Sequence, residues 1–179
     1  YFKLGEIWNS DSIKPFIIAE IGNNHNGSFK EAIKLIDAVK ETGADCAKFQ
    51  MRTMTSLYSS KRKGNDLGTE YTLDLLKKFQ LSDDELFSCF DHCVSLGMMP
   101  LCTPWDSESL KKLEDYGMNA YKIASADFTN HTLLKQVAST GKAMIISTGM
   151  STEAEIIQTV DLLDALSVNY MLLHCNSTY

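Results

Sequence analysis

The chain has 179 residues, 44% of them hydrophobic and 22% charged with only 3 prolines, which excludes disordered, collagen-like and disulfide-scaffold classes and predicts one domain with a substantial core. Its 17 Lys and Arg against 23 Asp and Glu leave a net charge of −6, so no basic face is offered to nucleic acid, although a single cleft can still be locally positive. No apolar run reaches the roughly 20 residues of a membrane span, and Tyr1 to Ser10 lack the basic-then-apolar order of a secretory leader, so a cytoplasmic protein is expected.

Along the chain, short apolar runs bounded by Gly, Asn or Asp alternate with helical periodicity. The first run, FIIAEI at 16–21, reads as a buried strand. Gly22 and Gly27 then flank NNHN, and a glycine turn at a strand end could let backbone N–H groups approach an anion. A helix is predicted from Phe29 to Thr42, with Ala32, Ile33, Leu35, Ile36 and Val39 on its apolar face, Ser28 as cap and Gly43 as stop. The strand DCAKFQ follows at 45–50, and after it a long insertion, Met51 to Leu81, of a size that usually forms a binding loop. Within the insertion, Lys61, Arg62 and Lys63 read as solvated charge. Next come a helix from Asp83 to Leu96 capped by Ser82, the strand MMPLCT at 98–103, and a helix from Ser107 to Tyr116. The strand AYKIAS at 120–125, a helix from Thr132 to Ser139, the strand AMIIST at 143–148, a helix from Thr152 to Leu166 and the strand NYMLLHC at 169–175 complete the series.

A βα unit repeated about six times implies right-handed crossovers and one parallel sheet. The expected fold is α/β: a TIM-type (β/α) barrel present as about six of its eight βα units, because a closed barrel takes roughly 250 residues. Two further units are then expected past Tyr179. The same alternation also permits an open doubly wound sheet. Five cysteines, Cys46, Cys89, Cys93, Cys102 and Cys175, are odd in number, lack a CxxC pair and sit in apolar segments, so reduced, mostly buried thiols are expected.

Barrels build their active sites at the carboxyl ends of the strands, and here nearly every strand ends polar. In order these residues are Glu20, Lys48 with Gln50, Thr103, Lys122 with Ser125 and Asp127, Ser147, and His174 with Ser177. Lys48 and Gln50, two apart on a strand, face the same side. A lysine inside an apolar strand is a poor packing residue. Either Lys48 and Lys122 are locked in internal ion pairs with Glu20 or Asp127, or together they neutralise one phosphorylated acid, with the hydroxyls completing an oxygen cage. No GxGxxG or Walker pattern is present, which disfavours dinucleotides and nucleoside triphosphates. His92 and His131 read as surface or cap residues and His174 as a structural hydrogen-bonding group.

The segments FIIAEIGNNHNG, GADCAKFQ, CTPWD, YKIASAD, IISTGMS and LLHCNSTY, in this order and spacing, resemble the sialic acid synthases over nearly the whole chain. The resemblance implies a (β/α) barrel that condenses phosphoenolpyruvate with N-acetylmannosamine, its 6-phosphate or a related amino sugar, giving a nonulosonic acid and phosphate. It places phosphoenolpyruvate on Lys48, Thr103, Lys122, Ser125, Ser147 and Ser177, and the amino sugar near Glu20, Gln50, Asn65 and Tyr179. Glu20 and Asp127 are the implied proton carriers. Asn24 and His25 belong to the family's NHxG turn. Alanines flank Ser125 where the family commonly has glycine, and Asp127 stands where Glu is frequent.

A divalent metal, Mn²⁺ or Mg²⁺, is implied as Lewis acid, with its histidine ligands past residue 179 and none within this chain. A carboxyl-terminal antifreeze-like domain is implied there too, as is a homodimer of the full-length protein, so this polypeptide alone is expected to be inactive. Neither nucleic acid nor membrane is an expected partner. Two rival readings stay open: a Schiff-base aldolase, which also starts from a lysine on a barrel strand, and a non-catalytic degenerate barrel serving as a scaffold.

Overall fold

A computed structural model describes residues 2–4, 8–11, 13–54 and 75–177. Its strands are β1 (Lys3–Leu4), β2 (Trp8–Asn9), β3 (Ile18–Glu20), β4 (Cys46–Met51), β5 (Met99–Pro104), β6 (Ala120–Ile123), β7 (Ala143–Ser147) and β8 (Tyr170–Leu173). Its helices are α1 (Phe29–Glu41), α2 (Asp83–Ser95), α3 (Ser107–Tyr116), α4 (His131–Ala138) and α5 (Glu153–Ala165), with a 3₁₀ turn at Ser125–Asp127. The chain forms two compact units, Phe16–Pro100, and Leu101–Tyr179 together with Tyr1–Pro15.

In the unit Phe16–Pro100, β3 and β4 run parallel with Ile18 opposite Cys46 and Glu20 opposite Lys48. Helix α1 starts where the Ser28 hydroxyl accepts the Glu31 N–H, and α2 starts at a reciprocal capping box between Ser82 and Glu85. Phe90 of α2 meets Phe49 of β4 edge to face at 5.5 Å, and both rings are fully buried. Such a pair adds about 0.5–1.5 kcal/mol beyond its area burial. Cys46, Cys89 and Cys93 line the same interior; burial raises all three thiol pKa values, to about 12 for Cys89 and Cys93.

In the other unit, β5, β6, β7 and β8 pair parallel in chain order, with Cys102 opposite Tyr121, Lys122 opposite Ile145 and Ser147 opposite Leu173. Strands β5 and β7 are buried along their whole length, as parallel strands with covered faces must be. In each unit the strands are therefore neighbours in sequence, with no reversal of order. An open doubly wound sheet needs such a reversal, so the barrel-type α/β order holds and the doubly wound alternative falls.

Several boundaries differ from expectation. Strand β3 covers 18–20 only, β6 stops at Ile123 because Ser125–Asp127 turns into 3₁₀ geometry, and β8 stops at Leu173. His174 consequently lies outside the strand, is exposed and makes no hydrogen bond with another described residue, contrary to its expected structural role. Helix α4 begins one residue early, at His131, whose ring meets the Thr159 hydroxyl at 3.2 Å. The antiparallel hairpin β1–β2 was not anticipated from the sequence; Asn169 fastens it, donating to the Lys3 carbonyl at 2.5 Å.

One polar cluster pins the start of β6. The Tyr121 hydroxyl donates to Glu114 Oε1, Lys142 Nζ donates to the same oxygen at 2.7 Å, and the ammonium lies 5.8 Å from the Tyr121 ring centroid. Burial, followed by the Glu114 contact, raises the Tyr121 pKa, so the phenol remains a donor at neutral pH. Replacing Glu114 with Ala strands both partners and is expected to cost about 2–3 kcal/mol, against about 1 kcal/mol for Tyr121→Phe, measured by urea unfolding at pH 7.

Candidate functional site

In the unit Phe16–Pro100, the polar residues gather at the ends of β3 and β4. Lys48 is only 7% exposed, and its ammonium contacts both oxygens of Glu20, at 3.1 and 2.9 Å. The internal ion pair with Glu20 thus forms, while the Glu20 side chain stays 54% exposed, so the pair stands at an open edge. Gly22, with φ of +53°, makes room for it: a Cβ there would come within 2.8 Å of Glu20 Oε1 and 3.5 Å of Gln50 Nε2. Gln50 is held in turn by Arg52, whose Nη2 donates to Gln50 Oε1 at 2.7 Å.

The NNHNG turn beside this group holds itself together. The N–H groups of Ile21 and Gly22 reach the Lys48 carbonyl, those of Asn24 and Asn26 the carbonyls of Ile21 and Asn23, and that of Ser28 the carbonyl of His25. The Gly27 N–H donates to His25 Nδ1 at 3.1 Å. Those amides are engaged internally, so the expected use of this turn to approach an anion gives way to a structural one. Burial lowers the His25 pKa, so the ring is neutral and can accept. Gly27 is required by its left-handed φ of +76°, and a side chain there would also collide with the Lys78 carbonyl.

The unit containing Leu101–Tyr179 carries the second group. Lys122 Nζ donates to Ser147 Oγ at 2.5 Å and to the Ile123 carbonyl at 2.7 Å. Gly149 lies against Ser125 and Ser177; a Cβ on it would come within 2.8 Å of the Ser125 hydroxyl, 3.2 Å of Cys175 Cβ, and would collide with the Ser177 hydroxyl. Ser177 itself adopts a left-handed φ of 53°. Thr103 Oγ1, Ser177 Oγ and Asp127 Oδ2 are buried and make no hydrogen bond. Buried polar atoms of this kind are rare and call for a partner. Asp127 does not pair with a lysine; its other oxygen accepts from Asn130 at 3.1 Å, and burial raises its pKa against the opposing effect of that bond.

The structure therefore brings Glu20, Lys48 and Gln50 into one group, pairs Lys122 with Ser147, and sets Ser125 and Ser177 against Gly149. Asn65 and Tyr179, like the triplet Lys61, Arg62 and Lys63, lie outside the described residues. Arg52 and Gly149 escaped the sequence reading. Arg52 had a signal, being two residues beyond Gln50, whereas nothing local marks Gly149 as the floor beneath two serines. Among the described residues, no three His, Cys, Asp or Glu side chains are grouped as a metal ion would need, so these residues do not by themselves fit one.

Comparison with known proteins gives this arrangement a context. Residues 35–179 match the NeuB family. The N,N'-diacetyllegionaminic acid synthase of Campylobacter jejuni is 35% identical over 93% of this chain and 52% of its own length. An uncharacterized protein of Methanocaldococcus jannaschii is 36% identical over 99% of this chain and 50% of its own. The crystal structure of the N-acetylneuraminic acid (sialic acid) synthetase of Leptospira borgpetersenii in complex with citrate superposes with a TM-score of 0.81 at 30% identity, over 92% of this chain and 55% of that one.

Two outcomes test the geometry. Inorganic phosphate is expected to raise the midpoint of thermal unfolding of the wild type but not that of Gly149→Ala, because the new methyl displaces Ser177 and Ser125. For Asp127, a raised native pKa makes the ionised form a liability above that pKa, while the cost vanishes below the unfolded value of 3.8. Asp127→Asn is therefore expected to be more stable than the wild type at pH 7, with the advantage shrinking as pH falls towards 3.8, in urea titrations across that range.

Proposed function

Because the chain belongs to the NeuB family and spans about half the length of the curated relatives it matches, we propose for it the condensation of phosphoenolpyruvate with an N-acetylated amino sugar to give a nonulosonic acid and phosphate. The observation that carries this reading is the second group: an ammonium oriented by Ser147, with Ser125 and Ser177 crowded over a side-chain-free Gly149 and two buried hydroxyls lacking partners. Such a set suits the oxygens of a phosphate or carboxylate, which accept from every hydroxyl and gain from the lysine charge.

In the reaction proposed, the vinyl carbon of phosphoenolpyruvate bonds to the sugar's aldehyde carbon. The carbonyl pair moves to oxygen, which takes a proton. Water then adds at the carbon bearing the phosphate and gives up one proton; the hydroxyl so formed gives up the second as that carbon's bond to the phosphate oxygen breaks, leaving a ketone and an inorganic phosphate that takes up that proton. Asp127 suits the donor, since burial favours its protonated form, and Glu20 is the acceptor that the resemblance implies. Lys122 and the hydroxyls of Thr103, Ser125, Ser147 and Ser177 stabilise the anion as charge gathers on the leaving phosphate. A divalent metal, Mn²⁺ or Mg²⁺, belongs to the proposal through the resemblance, with ligands past residue 179. No step above depends on it. A homodimer of the full-length protein also belongs to the proposal on that footing, and a cytoplasmic location belongs to it from the sequence reading.

The Schiff-base alternative fits less well. That chemistry needs an amine placed to attack a carbonyl carbon, whereas Lys48 Nζ is held against Glu20 and Lys122 Nζ against Ser147 and the Ile123 carbonyl. Phosphate release by the full-length protein, with divalent metal, phosphoenolpyruvate and a panel of N-acetylated amino sugars, tests the reading. Release is expected with at least one sugar, and Lys122→Met is expected to lower kcat/KM about 100-fold. Absence of release with every sugar would favour a scaffold, and a pyruvate adduct trapped by borohydride on Lys48 or Lys122 would favour the aldolase.

A further inference from the structure

Residue 52 follows β4 by one position, so in continued extension Arg52 projects to the same side as Gln50. Its guanidinium Nη2 donates to Gln50 Oε1 at 2.7 Å. An amide side chain has an accepting end and a donating end of nearly the same shape, so its partner decides which end faces where. With Oε1 turned to Arg52, the donating Nε2 points back over Gly22, on whose hydrogen surface the Glu20 carboxylate also rests. A donor and an acceptor thus stand side by side at the ends of neighbouring strands. A flipped amide would instead set its oxygen beside the Glu20 carboxylate, where the two would repel.

Arg52 is itself anchored. Gln80 Nε2 donates to the Arg52 carbonyl at 2.6 Å, and Gln80 Oε1 is buried without a hydrogen bond. Gln50, Arg52 and Gln80 line one small cleft with Asn23, His25 and Asp83. Residues 52 and 80, just inside the two ends of the long insertion, are in this way tied together.

We infer that Arg52 is a positioning residue: it fixes the Gln50 amide so that its NH₂ end, paired with the Glu20 carboxylate, meets a group of the acceptor sugar that both accepts and donates hydrogen bonds. A hydroxyl or an acetamido group has that character. The inference deepens the synthase reading and rests on it. Arg52 acts through Gln50 and touches neither phosphoenolpyruvate nor the reacting carbons.

The test is steady-state kinetics of the full-length protein with phosphoenolpyruvate and an N-acetylated amino sugar that it turns over. Arg52→Met is expected to raise KM for the sugar about tenfold while KM for phosphoenolpyruvate changes less than about twofold, the loss of one well-placed hydrogen bond. In a Gln50→Ala background the same substitution is expected to change KM for the sugar by less than about twofold, since no amide remains to orient. An equal factor in both backgrounds, or a matching rise in KM for phosphoenolpyruvate, would overturn the inference. Should Arg52→Met fail to fold, Gln50→Glu decides: it keeps the contact with Arg52 but presents an oxygen where Nε2 stood. It is expected to weaken sugar binding about tenfold, and an unchanged sugar KM would overturn the inference. A wild type that releases no phosphate with any sugar would overturn the synthase reading and this inference with it; an active wild type with insensitive variants overturns the inference alone.

Discussion

An ammonium group taken almost wholly out of water must be met by oxygen, and Lys48 fixes much of the unit around it by this need. Its partner Glu20 is its register neighbour on the adjacent parallel strand, so the ion pair forms only when β3 and β4 align as they do. A slip of one residue would turn Lys48 to the opposite face and leave its charge buried alone. At position 22 a left-handed φ of +53° favours glycine, and a side chain there would crowd Glu20 Oε1. Strand register and the ion pair at the strand ends thus follow from one buried charge.

The two lysines meet the same problem differently. Lys48 contacts a carboxylate, and Lys122 donates to the oxygens of Ser147 and Ile123. The first ties the ends of two neighbouring strands together. The second suits receiving an anion, and the neighbouring serines and Gly149 are placed to share that task.

Much of this was legible before any coordinates. Helix starts at Ser28, Ser82 and Thr152 follow from side-chain oxygens that accept free backbone N–H groups, and the structure has hydrogen bonds at each of them. The polar strand ends were readable because apolar runs make an embedded lysine or threonine conspicuous. What escaped has physical reasons. Strands of two residues, as in β1 and β2, are too short to show alternation. The ends of β6 and β8 depend on where a 3₁₀ turn or a loop takes over the backbone, a choice that local composition leaves open. The role of the NNHNG amides could not be read because it hinges on which carbonyls, and which histidine nitrogen, fold back to meet them.

The distribution of sulfur has a practical outcome. Cys46, Cys89, Cys93 and Cys102 are buried, whereas Cys175 is half-exposed, with its Cβ within 3.2 Å of where a side chain on Gly149 would begin. A small alkylating reagent applied to the folded protein would find that thiol ahead of the other four. A fluorophore attached there would sit beside the serine hydroxyls, so its emission would register the arrival of an anion without any engineered cysteine.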